Sequence, residues 1–286
     1  MGAADIVPGV SGGTVALVLG IYERLVHNIH LGAEALKAVV TGRTKEFVPA
    51  LKRVEWVWLL SLLAGVLTAV AVLSSVLEDL LHDYPVRMAG LFFGLVAGSV
   101  IVAWRLIGHR GTAEWSALVG VAVGLFLVLG LRSDTEVAEG TEEAVTQSPW
   151  VFFLAGALAI CAMILPGISG SFILLLIGMY TEVLGAVNDR DVVVLGAFAA
   201  GCVVGLAIFS SILDWALTHH HDLVMSAMVG LMLGSMRVLW PWPGGTQTTD
   251  LDWPSDDIVW PVLLAILGFA AVMVVERFAT PDEQPA

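Results

Sequence analysis

The sequence predicts an all-α polytopic membrane protein built from two inverted-topology repeats, each a re-entrant helical hairpin plus three transmembrane helices. Three observations carry this expectation. Apolar stretches of membrane-spanning length recur along the whole chain. Tryptophans stand at many of their ends. A Pro-Gly-x-Ser-Gly turn interrupts an apolar segment twice, and each copy is followed by Gly-x-Tyr.

The 286 residues are 58% hydrophobic and 14% charged, with a mean hydropathy of +0.88. Soluble domains are about 45–50% apolar and about 25% charged. The excess is spread over stretches of roughly 17–22 residues, the length that crosses hydrocarbon. Six are predicted to cross as helices: Trp56–Leu77, Val86–Leu106, Trp115–Leu131, Val192–Leu213, Leu223–Trp240 and Ile258–Glu276. A single stretch would fit an anchor or a signal peptide, but a series does not. Trp56, Trp58, Trp104, Trp115, Trp150, Trp240, Trp253 and Trp260 form the aromatic belts expected at membrane interfaces.

Two further apolar regions, Met1–Ile29 and Trp150–Val187, are broken by Pro, Gly and Ser. Backbone freed by such breaks finds no water in lipid, so it is tolerated only where protein buries it or a wet cavity receives it. Both regions are therefore expected to be hairpins dipping into the protein. In the second, arm Trp150–Leu165 enters, Pro166–Ser171 turns, and arm Phe172–Val187 returns. With the hydrophilic loop Glu23–Glu55 placed in the cytoplasm, most Lys and Arg fall inside, as the positive-inside rule asks. Arg87, Arg132, Arg190 and Arg237 fall outside.

The repeat has a constant register. Val7–Glu23 aligns with Leu165–Thr181, pairing Pro8 with Pro166 and Tyr22 with Tyr180. Downstream, Gly65 pairs with Gly201, Ser74–Leu77 with Ser210–Leu213, and Gly94, Gly98 and Ser99 with Gly230, Gly234 and Ser235. The downstream offset is shorter because the first half carries a longer hydrophilic loop near Val26–Pro49. The expected units are residues 1–131, an acidic linker 132–148, residues 149–277 and a tail 278–286. A hairpin returns to its own side, so each half crosses an odd number of times and the halves lie upside down to each other. That plan recurs in secondary transporters, with the site at the repeat interface near midplane.

The turns suggest chemistry. Pro8 ends the incoming arm, Gly9, Gly12 and Gly13 allow close backbone approach, and Ser11 or Thr14 caps the outgoing arm. Free N–H groups at such a turn suit an anion. Pro166, Gly167, Ser169, Gly170 and Ser171 offer a second such turn from the other leaflet. Tight hairpin packing is the alternative use of the same glycines. No Gly-Lys-Ser/Thr follows either turn, so nucleotide hydrolysis is not indicated. Gly90, Gly94 and Gly98, like Ser226, Gly230 and Gly234, form small-residue ridges suited to close helix packing.

Arg87 and Arg237 either attract a phosphate head group or snorkel to the interface. Asp5, Glu23 and Glu182 lie close to the hairpins as candidates for coupling to a proton or ion, with capping or anchoring as the alternative for Glu23. His219-His220-His221-Asp222 is expected to be a solvated loop rather than a metal cluster. Cys161 and Cys202 are expected to pack as small hydrophobes. The net charge of −13 argues against a nucleic-acid partner. No cofactor or metal is expected.

Ala4-Asp5-Ile6-Val7-Pro8-Gly9-Val10-Ser11-Gly12-Gly13-Thr14 with Gly20-Ile21-Tyr22-Glu23, and Leu165-Pro166-Gly167-Ile168-Ser169-Gly170-Ser171 with Gly178-Met179-Tyr180, resemble the paired motifs of the PopT-type polyprenyl-phosphate transporters. The resemblance spans nearly the whole chain. It implies a multi-pass protein of the cytoplasmic membrane that flips a carrier lipid of the undecaprenyl- or dolichyl-phosphate type, with the phosphate at the two motifs. Two departures stand out. Thr181 replaces Glu23 in the second copy, with Glu182 one residue later. The first incoming arm has only about seven residues, where the resemblance implies more, which points to a truncated start or an internal Met taken as the first residue. A small-anion channel or carrier is the alternative, and a membrane lipid phosphatase a weaker one, since only Asp5 stands close to a turn as a candidate acid or base.

Overall fold

The computed structural model describes residues 1–5, 10–130, 148–248, 250–254 and 257–279. Among them it is helical throughout, with no strand. The linker, apart from Ser148, and the tail beyond residue 279 lie outside the described residues, as do Pro8 and Gly9. Among the described residues five helices are long and apolar enough to cross a membrane, or six if the bent pair Gly170–Leu176 and Tyr180–Asn188 is one span. The protein is therefore a multi-pass membrane protein.

Three of the expected spans match single helices: α5 (Trp56–Asp83), α6 (Pro85–Arg105) and α7 (Thr112–Gly130). The last expected span is α12 (Val259–Ala279). The other two expected spans share one helix, α11 (Val192–Ser235), whose 44 residues far exceed one crossing. It breaks at His220, where φ is −137° and ψ is 43°. The loop expected at 214–222 is thus helical up to the break. Nothing between Asp214 and His219 is Gly or Pro, so nothing there stops a helix.

The hydrophilic stretch 23–55 is a second correction. It is not a loop but α3 (Tyr22–Val40) and α4 (Thr44–Arg53). Val26, Ala35 and Ala38 give α3 a buried face, and it packs on α11. His27 Nδ1 lies 3.0 Å from Asp214 Oδ1, and His30 Nδ1 lies 2.9 Å from the Ser211 hydroxyl. Asn28 is buried and accepts from Glu55 N at 2.8 Å, joining α3 to the start of α5.

The small-residue ridges join the long helices in two parallel pairs. Gly90, Gly94 and Gly98 of α6 meet Pro261, Ala265 and Val272 of α12 in rising order. Gly230 and Gly234 of α11 meet Leu118 and Ala122 of α7, again in rising order. Polar contacts tie both ends. Arg87 Nε donates to Asp257 at 2.6 Å at one end, and Arg105 holds Glu276 at 2.9 Å at the other. Asp222 accepts from Gly108 N and His109 N, both at 2.9 Å, so the His-rich stretch serves as a joint and not a free loop.

The short helices open each half of the chain. At the N-terminus are α1 (Gly2–Asp5) and α2 (Gly12–Val18). In the second half are α8 (Pro149–Ile164), α9 (Gly170–Leu176) and α10 (Tyr180–Asn188). The returning arm expected at 172–187 is bent by 110° between α9 and α10. The cause is local. Gly178 has φ +71°, and the Met179 and Gly178 amides turn back to Leu174 O and Leu175 O, closing α9 as a glycine C-cap. Gly20, with φ +67°, closes α2 in the same way.

The principal core joins α2, α3, α6 and α11 through Leu17, Val26, Val96, Met225, Met228 and Met232. By contrast α5 has no buried residue and presents apolar side chains all round. Such a helix is stable only in contact with lipid or another protein.

Candidate functional site

Each turn starts its helix with a serine cap, and of the two candidates in the first turn, Ser11 and Thr14, it is Ser11. Ser11 is the N-cap of α2 and its hydroxyl accepts from Thr14 N at 3.3 Å. Ser169 is the N-cap of α9 and accepts from Phe172 N at 3.2 Å. The extended backbone of each serine starts a helix, and its oxygen satisfies one otherwise orphaned amide.

The two turns touch. Gly167 N donates to Ser11 Oγ at 3.2 Å and to Thr14 Oγ1 at 3.0 Å. Ser11 Oγ lies 3.2 Å from Leu165 O, to which it can donate, and the Tyr22 hydroxyl donates to Ile164 O at 3.1 Å. A side chain at Gly13 would come within 2.7 Å of Ile164 O, which explains the glycine. Gly12 N donates to Asp5 Oδ1 at 2.6 Å, so the first turn carries its own carboxylate. Ser11, Gly12, Gly13 and Thr14 are all buried.

The second turn is more open. Pro166, Gly167 and Ser169 are buried, but Ser171 is exposed and its hydroxyl lies 2.7 Å from that of Ser169. A narrow crevice runs past Gly167, Ser169 and Phe172 to Leu129 of α7 and to Ser235 and Val238. On the far side of the same stretch of chain lies a larger cavity of about 480 Å³. Phe93, Phe126, Met236, Arg237, Trp240 and Trp253 line it. The Arg237 guanidinium stacks over Phe126 at 4.8 Å. This cavity is largely apolar and aromatic around Arg237, with Asp252 also in its lining, a composition suited to an amphiphile whose anionic head meets the guanidinium.

A family described as Undecaprenyl phosphate translocase-like matches residues 1–253. The chain belongs to this family. It is 39% identical over 243 residues to the protein named Polyprenyl-phosphate transporter of Vibrio cholerae, covering 85% of this chain and 75% of that one. A protein of the same name from Staphylococcus aureus is 28% identical over 294 aligned positions, covering 99% and 95%. No solved structure matches. The family and its named members are transporters, and this member of the translocase-like family is a transporter and not an enzyme. Asp5, the carboxylate at the first turn, holds the Gly12 amide.

The remaining residues singled out in this translocase-like sequence are dispersed. Arg87 pairs with Asp257 and lies beside the Tyr84 and Trp260 rings, outside the Arg237 cavity. Glu23 is exposed and lies 3.0 Å from His221 Nε2. Glu182 is half-buried on α10. Cys161 and Cys202 are half-buried, and their thiols point at Gly205 O and Gly156 O across the α8–α11 contact. Tyr22 and the aromatic ring around Arg237 were not singled out in the sequence as site residues. Their signal was the repeated Gly-x-Tyr and the crowding of Trp240 and Trp242 within a few residues of Arg237.

Proposed function

We propose that this protein carries a polyprenyl phosphate across the cytoplasmic membrane as a flippase. Residues 1–131 and 149–277 act as inverted repeats, and their two hairpin turns handle the phosphate near midplane. The observation that carries the reading is the pair of bonds from Gly167 N to Ser11 Oγ and Thr14 Oγ1. A buried amide of one turn is already met by two oxygens from the other, and a phosphate oxygen is an alternative acceptor for it. Exchange of that amide between hydroxyl and phosphate would open and close the contact between the halves.

Other features support the same reading. The pairing of α6 with α12, and of α7 with the second arm of α11, is reciprocal: the second helix of each half meets the third helix of the other. That is what two halves related by a pseudo-twofold axis would give. The Arg237 cavity offers a first stop, with its cation for the phosphate and its rings for the isoprenyl units. Arg87, paired with Asp257, lies at the same end of the bundle. Moving a bare phosphate into hydrocarbon costs tens of kcal/mol, so a path from a cation to amide-rich turns is the physical requirement. Glu23 with His221, at the opposite end, is the candidate proton-coupling pair. That end gathers most of the Lys and Arg and would face the cytoplasm.

The test is reconstitution into liposomes with labelled polyprenyl phosphate, reading its exposure to an impermeant reagent over time. The wild type should equilibrate the lipid between leaflets. Arg237→Gln should slow it at least about tenfold, as loss of a charged hydrogen bond implies. Gly170→Val, whose side chain would press on Ala159 O, should abolish it while still inserting. Wild-type flipping by Gly170→Val would sink the reading. Rapid inorganic phosphate flux without lipid exchange would favour a small-anion carrier instead.

A further inference from the structure

A cavity of about 1080 Å³ is remote from the turns. It lies between α3, α4 and the 192–219 arm of α11. Its two walls differ in chemistry. Val204, Ile208 and Ile212 of α11 supply exposed apolar side chains. Lys37, Arg43, Lys45 and Arg53 of α3 and α4 and the turn between them supply positive charge. Two carboxylates share the lining. Glu46 is 3.8 Å from Arg43, and Glu34 is 3.8 Å from His30. Among the described residues Lys37, Lys45 and Arg53 have no ion-pair partner. The whole chain has 26 acids against 13 bases, yet four of those bases face one cavity.

Tertiary contacts hold this arrangement. The His27–Asp214 and His30–Ser211 contacts fix α3 on α11. The Arg43 amide bonds to Ala38 O at 2.8 Å and sets the turn into α4. The cations are therefore carried on a fixed frame over a wall belonging to a membrane-spanning arm. Apolar side chains on that arm face acyl chains, and the basic rim lies at the depth of head groups.

The geometry points to a binding site for an anionic membrane phospholipid, with its phosphate among Lys37, Lys45 and Arg53 and its chains along Val204, Ile208 and Ile212. A soluble anion would use the cations but not the apolar wall. A neutral lipid would use the wall and leave the cations unanswered. The site shares no lining residue with the Arg237 cavity or with the crevice past Gly167 and Ser169, so the inference stands apart from the cargo reading. Its role is to seat α3 and α4 on one leaflet.

Native mass spectrometry of the full-length protein released from detergent tests it. The probes are phosphatidylglycerol, phosphatidylcholine with the same chains, and inorganic phosphate as competitor. Wild-type protein should retain phosphatidylglycerol about fivefold or more over phosphatidylcholine, as expected for one or more surface cations. The exposed double variant K45Q/R53Q should lose that preference while eluting as wild type. Equal retention of the two lipids, or an unchanged preference in the variant, overturns the site. Displacement of phosphatidylglycerol by millimolar inorganic phosphate overturns it too, because the chains would then contribute nothing.

Discussion

The two hairpin turns begin from nearly the same sequence and end in different surroundings. In the first, Ser11, Gly12, Gly13 and Thr14 are buried, and two hydroxyls hold Gly167 of the other turn. In the second, the residue matching Gly13 is Ser171, which is exposed, and the residue matching Thr14 is Phe172, which has no oxygen to offer. The differences between the copies follow the packing. Position 13 lies against Ile164 O and admits no side chain, whereas position 171 faces outward. The first turn is a clamp, and the second is what it clamps. A transporter that works by parting its halves needs such a contact to be breakable, and hydroxyl-to-amide bonds of about 1 kcal/mol net are of a suitable strength.

The largest effect should come from filling the first turn. Gly13→Leu should destabilise the protein by about 2–4 kcal/mol, since the new side chain must displace the end of α8. Ser171→Leu, its repeat equivalent, should cost under about 1 kcal/mol. Thermal scans of the two purified variants in one detergent compare them directly. Equal losses would mean that the turns are not distinguished as clamp and clamped.

A smaller effect should follow from removing the clamp's oxygens. Ser11→Ala with Thr14→Val leaves the buried Gly167 amide without an acceptor and should cost about 1–3 kcal/mol. Thr14→Val alone should cost less, because Ser11 still accepts. If the clamp gates transport, the double variant should also shift the rate of lipid exchange. A stability loss with an unchanged rate would restrict the contact to a structural role.

Much of this was legible in the sequence, and the failures have physical causes. Apolar length and tryptophan ends marked α5, α6, α7 and α12 within a few residues. The serine caps were readable because capping is a local matter of one side chain and one amide two or three residues on. Helices α3 and α4 look like a loop in the sequence because only one face of each is apolar, and mixed composition resembles a solvated linker. The break at His220 has no glycine or proline to announce it. The 110° bend after α9 is half visible, since the sequence shows Gly178 but not its positive φ. The least legible features were pairings across the chain. Arg87 with Asp257, and Gly167 with Ser11 and Thr14, join residues far apart in sequence, and spacing does not reveal such partners.

The same divergence between halves recurs at the start of the first long helix of each. Glu55 precedes α5 and Asp191 precedes α11, at equivalent positions of the repeat. Asp191 caps its own helix, accepting from Val193 N and Val194 N. Glu55 makes no such cap and turns instead to Arg24 and Asn28 of α3. These partners, Arg24 foremost, hold its carboxyl down to about 2, below its ordinary 4.5. A carboxylate whose folded value is depressed stabilises the fold above its unfolded value and loses that contribution as pH falls through the folded one. The Glu55 contribution should therefore be complete above pH 4.5 and fade between there and about 2. The pair is exposed, so the effect is small and screened by salt. Comparing the melting temperature of Glu55→Gln with wild type across that window should show a gap at neutral pH that closes on acidification. No gap at any pH would mean that Glu55 serves by its backbone position alone, as a spacer between α4 and α5, and that its ion pair with α3 adds nothing.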